Sequence, residues 1–106
     1  MIKFMVVLYR RPDLTVAEFQ HYLRTAHGPM AEALPDLLHY TQNFVTEDAT
    51  RKHPGWEAIV EFFWADRETM ESAWASPEGV AATADLSKFA DLSRTTWSMV
   101  AFDERR

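Results

Sequence analysis

The fold of this protein is decided by one stretch of its sequence, FQHYLRTAHGPMAEALPDLLHYTQN, which spans residues 19–43. It begins as an amphipathic helix that we expect to end at Gly28-Pro29, because proline cannot continue a helix and disfavours helical geometry in the residue before it. After a short turn at Leu34-Pro35-Asp36, the chain restarts as a strand that contains Tyr40. Since a helix end and the start of the next strand can lie close in space, we expect His27 and the Tyr40 phenol to converge and to share a proton-transfer role.

Apolar periodicity and helix caps predict the other elements. Thr15 and Glu18 have the spacing of a capping box at the start of the first helix. Asp66 is suited to cap a helix through residue 74, and Ser76-Pro77 restarts a helix that runs toward residue 92. Apolar and alternating runs rich in β-branched and aromatic residues predict strands at 2–9, 37–47, 56–64 and 94–102.

The predicted order of elements is therefore β-α-β-β-α-β, the ferredoxin-like arrangement of the α+β class, with helices on one face of a four-stranded antiparallel sheet. We interpret residues 1–106 as one domain, in keeping with the chain length of 106 residues. The first and third strands are apolar on both sides, so the face of the sheet without helices is poorly suited to water. Pairing of two sheets would bury that face, and we expect a homodimer.

Composition excludes several classes of function. The formal net charge of −5 argues against nucleic acid or an anionic membrane as a partner. The absence of cysteine excludes disulfides, thiol catalysis and cysteine metal sites. No segment is long enough to span a bilayer, and no cleavage site of small residues follows the N-terminal apolar run, so we expect a soluble cytoplasmic protein.

Three residues are candidates for a functional site. His27 could act as an acid, a base or a hydrogen-bond donor, or it could be a capping histidine bonded to a carbonyl of the last helical turn. Tyr40 could orient a substrate oxygen, or it could be an ordinary sheet aromatic whose hydroxyl bonds to the backbone. Glu61 lies in a strongly apolar strand, where an unpaired carboxylate would have a raised pKa and could contact a ligand. Glu61 would instead be structural if it were paired with Arg94 or a lysine across the sheet, or if it were exposed near a strand edge.

The four histidines do not predict a metal site. His21 and His27 are six residues apart, which does not place them on one helical face. We expect His21 and His39 on solvated faces and His53 in a polar loop. No cofactor is predicted.

The chain resembles the EthD family of the dimeric α/β-barrel superfamily over nearly its whole length. The central feature of the resemblance is a helix-terminal His-x-Pro, followed by a proline turn and a strand that carries tyrosine. The matching segments are Val7-Leu8-Tyr9-Arg10-Arg11-Pro12, Phe19 with Tyr22 and Leu23, His27-Gly28-Pro29-Met30, Leu34-Pro35-Asp36-Leu37 with Tyr40 and Asn43, and Glu61-Phe62-Phe63-Trp64.

The resemblance implies a homodimer in which two sheets face each other as a barrel, with the helices outside. Enzymes of this superfamily hold a small apolar pocket between sheet and helices; they include cofactor-free cyclases and dehydratases, muconolactone isomerases and small monooxygenases. In the isomerases, a histidine and a tyrosine at the positions that match His27 and Tyr40 line the pocket.

Two functions remain open, because a fold does not settle function. The first is a cofactor-independent isomerase, cyclase, dehydratase or monooxygenase that acts on a small aromatic or lactone-like molecule. The second is a non-catalytic dimeric protein that binds a small molecule or accompanies a catabolic or oxygenase pathway.

Overall fold

A computed structural model describes residues 1–106. Its sheet contains four antiparallel strands in the order β2-β3-β1-β4, so the predicted ferredoxin-like fold is confirmed. The strands are β1 (Ile2–Leu8), β2 (His39–Phe44), β3 (Ala58–Trp64) and β4 (Thr96–Val100). They end inside the predicted limits, because the chain leaves the hydrogen-bonded ladder before the strand-like sequence pattern stops.

Helices fill the two long connections of the sheet. They are α1 (Val16–Tyr22) and α2 (Gly28–Glu32) after β1, and α3 (Arg67–Ala75) and α4 (Pro77–Asp85) after β3. The predicted caps are confirmed: Thr15 and Glu18 form the capping box of α1, Asp66 caps α3, and Ser76 caps α4 with Pro77 in its first turn. None of these helices has the length and apolar character needed to cross a bilayer.

The prediction that the first helix ends at Gly28-Pro29 is wrong. The chain remains helical through a π-helical segment, Leu23–His27, and continues directly into α2. In this wider turn the Gly28 N–H donates to the Leu23 carbonyl, five residues back. Pro29 then falls in the first turn of α2, directly after the π-helical segment, which is a helix position that tolerates proline. The π turn therefore lets the helix pass a proline.

The two faces of the sheet have different surroundings. On the helix side, β3 contributes four buried residues, and the register places Phe4 and Val6 of β1 directly opposite two of them. The four are Ala58, Val60, Phe62 and Trp64. The opposite face carries half-buried side chains from the central strands, namely Lys3, Met5, Val7, Ile59, Glu61 and Phe63. The central strands thus present a largely apolar second face that the helices of the same chain do not cover.

Candidate active site

A cavity of about 190 Å³ lies between the helix side of the sheet and α4. Eight of its ten lining residues are hydrophobic. The ten lining residues are Phe4, Val6, Val60, Phe62 and Trp97 of the sheet, Trp74 of α3, Ala82, Thr83 and Leu86 in and after α4, and His27. Because a cavity of about 150 Å³ in another protein holds a benzene ring, this cavity has room for a small ring system.

His27 is the only ionisable residue that lines the cavity. Its side chain is 4% exposed, and its Nδ1 lies 2.9 Å from Asp85 Oδ2. The π-helical segment places the imidazole against Phe89, with the ring centroids 4.8 Å apart. His27 is therefore not a capping histidine bonded to a last-turn carbonyl, because its Nδ1 partner is a carboxylate 58 residues away in the chain.

Asp85 is the centre of a buried polar cluster. It is the last residue of α4 and is 4% exposed, and its Oδ1 accepts a hydrogen bond of 2.8 Å from Tyr22 Oη. Burial raises the pKa of Asp85, but the hydrogen bonds from His27 and Tyr22 outweigh this effect, so the pKa lies below its usual range. Burial and the Asp85 carboxylate raise the pKa of Tyr22 to about 12, which keeps the phenol protonated as a donor.

The ionised carboxylate decides which nitrogen of His27 carries hydrogen. Ionised Asp85 can only accept hydrogen bonds, so Nδ1 must be the protonated nitrogen. Burial lowers the pKa of His27, and the opposing effect of Asp85 offsets only part of this change, so the imidazole is neutral near pH 7. The lone pair of the neutral ring is then on Nε2.

Nε2 of His27 is open to the cavity. Nε2 makes no hydrogen bond within the protein. The only fully buried side-chain nitrogens without a partner are Arg10 Nε and Trp74 Nε1, so Nε2 of His27 is not among the fully buried atoms. His27 is also one of the residues that line the cavity. A base whose other nitrogen is oriented by a carboxylate, at the wall of an apolar cavity, can take a proton from a bound molecule and return it.

Tyr40 does not reach this cavity. Its hydroxyl accepts a hydrogen bond of 3.0 Å from Gln42 Nε2, a side-chain amide rather than the backbone, and burial raises its pKa to about 12. It lines a separate surface groove beside α2. Its ring contacts Phe62, at 4.9 Å between centroids, and Phe62 does line the cavity. The expected convergence with His27 is not observed, because the cavity lies over β3, β1 and β4 whereas β2 forms the opposite edge of the sheet.

Glu61 lies on the face of the sheet opposite the cavity. Its Oε2 is 2.9 Å from Lys3 Nζ, and Thr41 and Asn43 donate hydrogen bonds of 3.1 and 3.0 Å to its Oε1. The hydrogen bond from Lys3 outweighs partial burial and lowers the pKa of Glu61, whereas an unpaired carboxylate would have a raised one. The structural interpretation of Glu61, in which a lysine across the sheet is its partner, describes the observed geometry.

Asp85 and Tyr22 are the site residues that sequence reasoning missed. The buried positions of α4 are Gly79, Ala82 and Asp85, which recur every third residue. This spacing puts Asp85 on the stripe of α4 that faces the interior, where a charge without a partner is costly. The pattern could have indicated that Asp85 needs a partner, but no local pattern identifies that partner as His27.

The remaining histidines lie away from the cavity. His21 and His39 are exposed, as expected, and His53 lies in the loop before β3 with its Nε2 3.1 Å from Glu57 Oε1. No group of three or more histidine, aspartate or glutamate side chains is arranged to hold a metal ion.

Solved structures share the fold of this chain along almost its whole length. An ethyl tert-butyl ether D (EthD) family protein from Bacillus halodurans has a TM-score of 0.78 and 22% identity, with 97% of this chain and 100% of that chain covered. A dimeric protein with a ferredoxin-like fold from Bacteroides fragilis has a TM-score of 0.71 and 17% identity, with 95% of each chain covered. SnoaB from Streptomyces nogalater, described as a cofactor-independent oxygenase, has a TM-score of 0.63 and 14% identity, with coverages of 99% and 93%.

Sequence comparison identifies the family. No curated protein sequence matches this chain significantly. The family model of the EthD domain matches residues 11–93, which include the π-helical segment, the His27–Asp85 pair and Tyr22. Because this match covers most of the 106 residues, the chain belongs to the EthD domain family.

Proposed function

We propose that this protein is a cofactor-independent enzyme in which His27 transfers a proton to and from a small, largely apolar aromatic or lactone-like molecule. One observation carries the proposal: Nδ1 of His27 is held by Asp85, while Nε2 is free and open to an apolar cavity. A protein that only binds an apolar ligand has no need of a buried carboxylate and phenol behind the one histidine that meets the ligand. The Asp85–His27 pair therefore favours catalysis over simple binding.

The proposed chemistry needs only the groups of this cluster. Nε2 accepts a proton from an acidic C–H or O–H of the bound molecule, and the adjacent Asp85 carboxylate stabilises the imidazolium that forms. The same Nε2–H then returns the proton to another atom of the molecule, as an isomerisation, cyclisation or dehydration requires. The lowered pKa of His27 keeps the base in its neutral, active form at pH 7. General acid–base help of this kind is worth about 10²- to 10⁴-fold in rate.

The structural neighbours are consistent with this proposal. SnoaB, with the same fold, is described as an oxygenase that works without a cofactor.

The neighbour from Bacteroides fragilis is described as dimeric, and the central strands of this chain leave a half-buried apolar face. We propose that the enzyme is a homodimer that pairs through this face. Sedimentation should then report a dimer for the wild type and for Val80→Asp, at an exposed position of α4, but a monomer for Ile59→Asp. A monomeric wild type would contradict the pairing.

The catalytic proposal can be tested with a probe that reports a base in an apolar cavity. When a base removes the C3 proton of 5-nitrobenzisoxazole, the ring N–O bond breaks and the coloured 2-cyano-4-nitrophenolate is released, with the proton retained on the base. We expect the rate with wild-type protein to exceed that with His27→Gln by about a hundredfold. His39→Gln is the matched control, because His39 is exposed and lies outside the cavity. Equal rates for wild type and His27→Gln would remove His27 from catalysis and leave ligand binding as the function.

A further inference from the structure

We propose that Trp97 is the specificity-determining residue of the cavity, and that its indole closes the entrance to ring systems larger than two fused rings. The inference rests on the proposed function, because it assumes that the cavity receives the ligand. Trp97 lines the cavity and is nevertheless 52% exposed. A side chain that faces both the cavity and the solvent lies at the entrance.

The position of β4 in the sheet explains why the entrance is here. β4 is an edge strand that pairs only with β1, and Trp97 is the register partner of Val6. Its side chain is therefore on the helix side of the sheet, above the cavity. Across the cavity, α4 presents Thr83, which is also exposed and also part of the lining. The entrance is thus a gap between one edge strand and one helix.

The inner wall of the cavity cannot widen as easily as the entrance. Phe4, Phe62 and Trp74 form a mutually packed aromatic cluster, with Trp74 at 5.2 Å from Phe4 and 5.1 Å from Phe62 between ring centroids. Such interlocked rings move only if several side chains move together. Trp97 has no aromatic contact of this kind with the cluster and has solvent on one side. Its indole is therefore the part of the wall whose size and position decide which ligands enter.

The volume of the cavity sets the expected ligand size. The space of about 190 Å³ is somewhat larger than the roughly 150 Å³ that holds one benzene ring elsewhere, so we expect two fused rings to fit and a third ring to meet the Trp97 indole. Removal of the indole should extend the cavity outward, so that the protein can bury the third ring of a ligand instead of excluding it. Burying the surface of one more ring is worth on the order of tenfold in affinity.

The test measures binding rather than turnover, by isothermal titration calorimetry with phenol, 2-naphthol and 2-hydroxyanthracene. We expect the wild type to bind 2-naphthol best. In Trp97→Ala the affinity for 2-hydroxyanthracene should rise about tenfold relative to that for 2-naphthol, and Trp97→Phe, which retains a smaller ring and keeps the strand intact, should show a smaller shift in the same direction. Met99→Ala is the matched control, because Met99 is on the same face of β4 and is 41% exposed but does not line the cavity.

The outcome separates this inference from the proposed function. An unchanged ring-size preference in both Trp97 variants, an equal shift in Met99→Ala, or no binding of any of the three ligands by the wild type would overturn the role of Trp97. His27→Gln should lose the rate with 5-nitrobenzisoxazole, so the rate tests the base and the ring-size preference of the Trp97 variants tests the entrance. Loss of that rate in His27→Gln together with an unchanged preference in the Trp97 variants would refute the entrance and leave the catalytic base in place.

Discussion

Replacing Asp85 with asparagine is expected to move the hydrogen of His27 from Nδ1 to Nε2. In the wild type, Asp85 accepts from both Tyr22 Oη at 2.8 Å and His27 Nδ1 at 2.9 Å. Asparagine has one accepting oxygen and one donating nitrogen. If the oxygen continues to accept from Tyr22, the amide nitrogen faces Nδ1, which must then accept and be without hydrogen. Nε2 becomes the protonated nitrogen and can no longer take a proton from a ligand.

The size of the effect on stability follows from the number of bonds at Asp85. Asp85→Asn exchanges two charge-assisted hydrogen bonds for two neutral ones, which should lower the free energy of unfolding by about 2 kcal/mol. Asp85→Ala leaves the Tyr22 hydroxyl and His27 Nδ1 buried without a partner, and should cost roughly 2–6 kcal/mol. A domain of this size has a free energy of unfolding of about 5–15 kcal/mol, so the asparagine variant should fold while the alanine variant is marginally stable.

The rate with 5-nitrobenzisoxazole should fall about 10²- to 10⁴-fold in Asp85→Asn, even though this variant is folded.

Nitrogen-15 NMR of the histidine ring distinguishes the two tautomers directly, and urea denaturation gives the change in stability. The wild-type spectrum should show a protonated Nδ1 and an unprotonated Nε2 for His27 at pH 7.5, and the asparagine spectrum should show the reverse. A hydrogen on Nε2 in the wild type would refute the orienting role of Asp85. An asparagine variant that shows the exchanged tautomer but retains the wild-type rate would refute Nε2 as the base that takes the proton.

Further predictions concern the same cluster and its scaffold. Tyr22→Phe removes one hydrogen-bond donor from Asp85, so the pKa of Asp85 should rise and its carboxylate should become a stronger acceptor for His27. NMR titration should therefore show a higher pKa for His27. An unchanged pKa would contradict the hydrogen-bond network. Because the pKa of His27 is lowered in the folded state, the unfolded chain binds more protons than the folded chain from about pH 7.5 down to the folded-state pKa. The free energy of unfolding should therefore fall as the pH drops through this range, and it should fall less in His27→Gln. Gly79→Ala should lower the free energy of unfolding, measured by urea denaturation, by about 3 kcal/mol, although alanine favours helices. The reason is that the alanine Cβ would lie 2.3 Å from the Ala73 carbonyl oxygen. An unchanged or higher stability would show that α3 and α4 separate easily.

Local sequence patterns were sufficient for the elements but not for the path of the first helix. Capping at Thr15, Asp66 and Ser76 depends on residues within three positions, and all three caps are present. The path through Gly28 depends instead on β2, where Gln42 Nε2 donates 3.0 Å to the Leu23 carbonyl of the π turn. A side chain at Gly28 would place Cβ 3.0 Å from that same amide nitrogen. Helix propensity carries no information about this contact, because Gln42 lies in a strand 19 residues after Leu23.

In the candidate site, too, local sequence identifies one residue, and contacts between distant segments decide its partner. His27 was recognisable from its place before a Gly-Pro pair, but its expected partner was Tyr40, thirteen positions along the chain, and that pairing does not form. Its observed partner is Asp85, 58 positions away. Proximity in sequence was a poor guide because β2 lies at one edge of the sheet, while α4 lines the cavity together with β3, β1 and β4.

By itself, the sequence of this protein determined the order of helices and strands, the helix caps and the two apolar faces of the sheet, because each of these depends on side-chain spacing along one segment. Tertiary structure alone decided that a carboxylate of α4 lies between a phenol of α1 and the histidine of the π turn, beside a cavity. The reason is physical: hydrogen bonds between buried polar groups form wherever packing brings donors and acceptors within about 3 Å, and packing is a property of the whole chain.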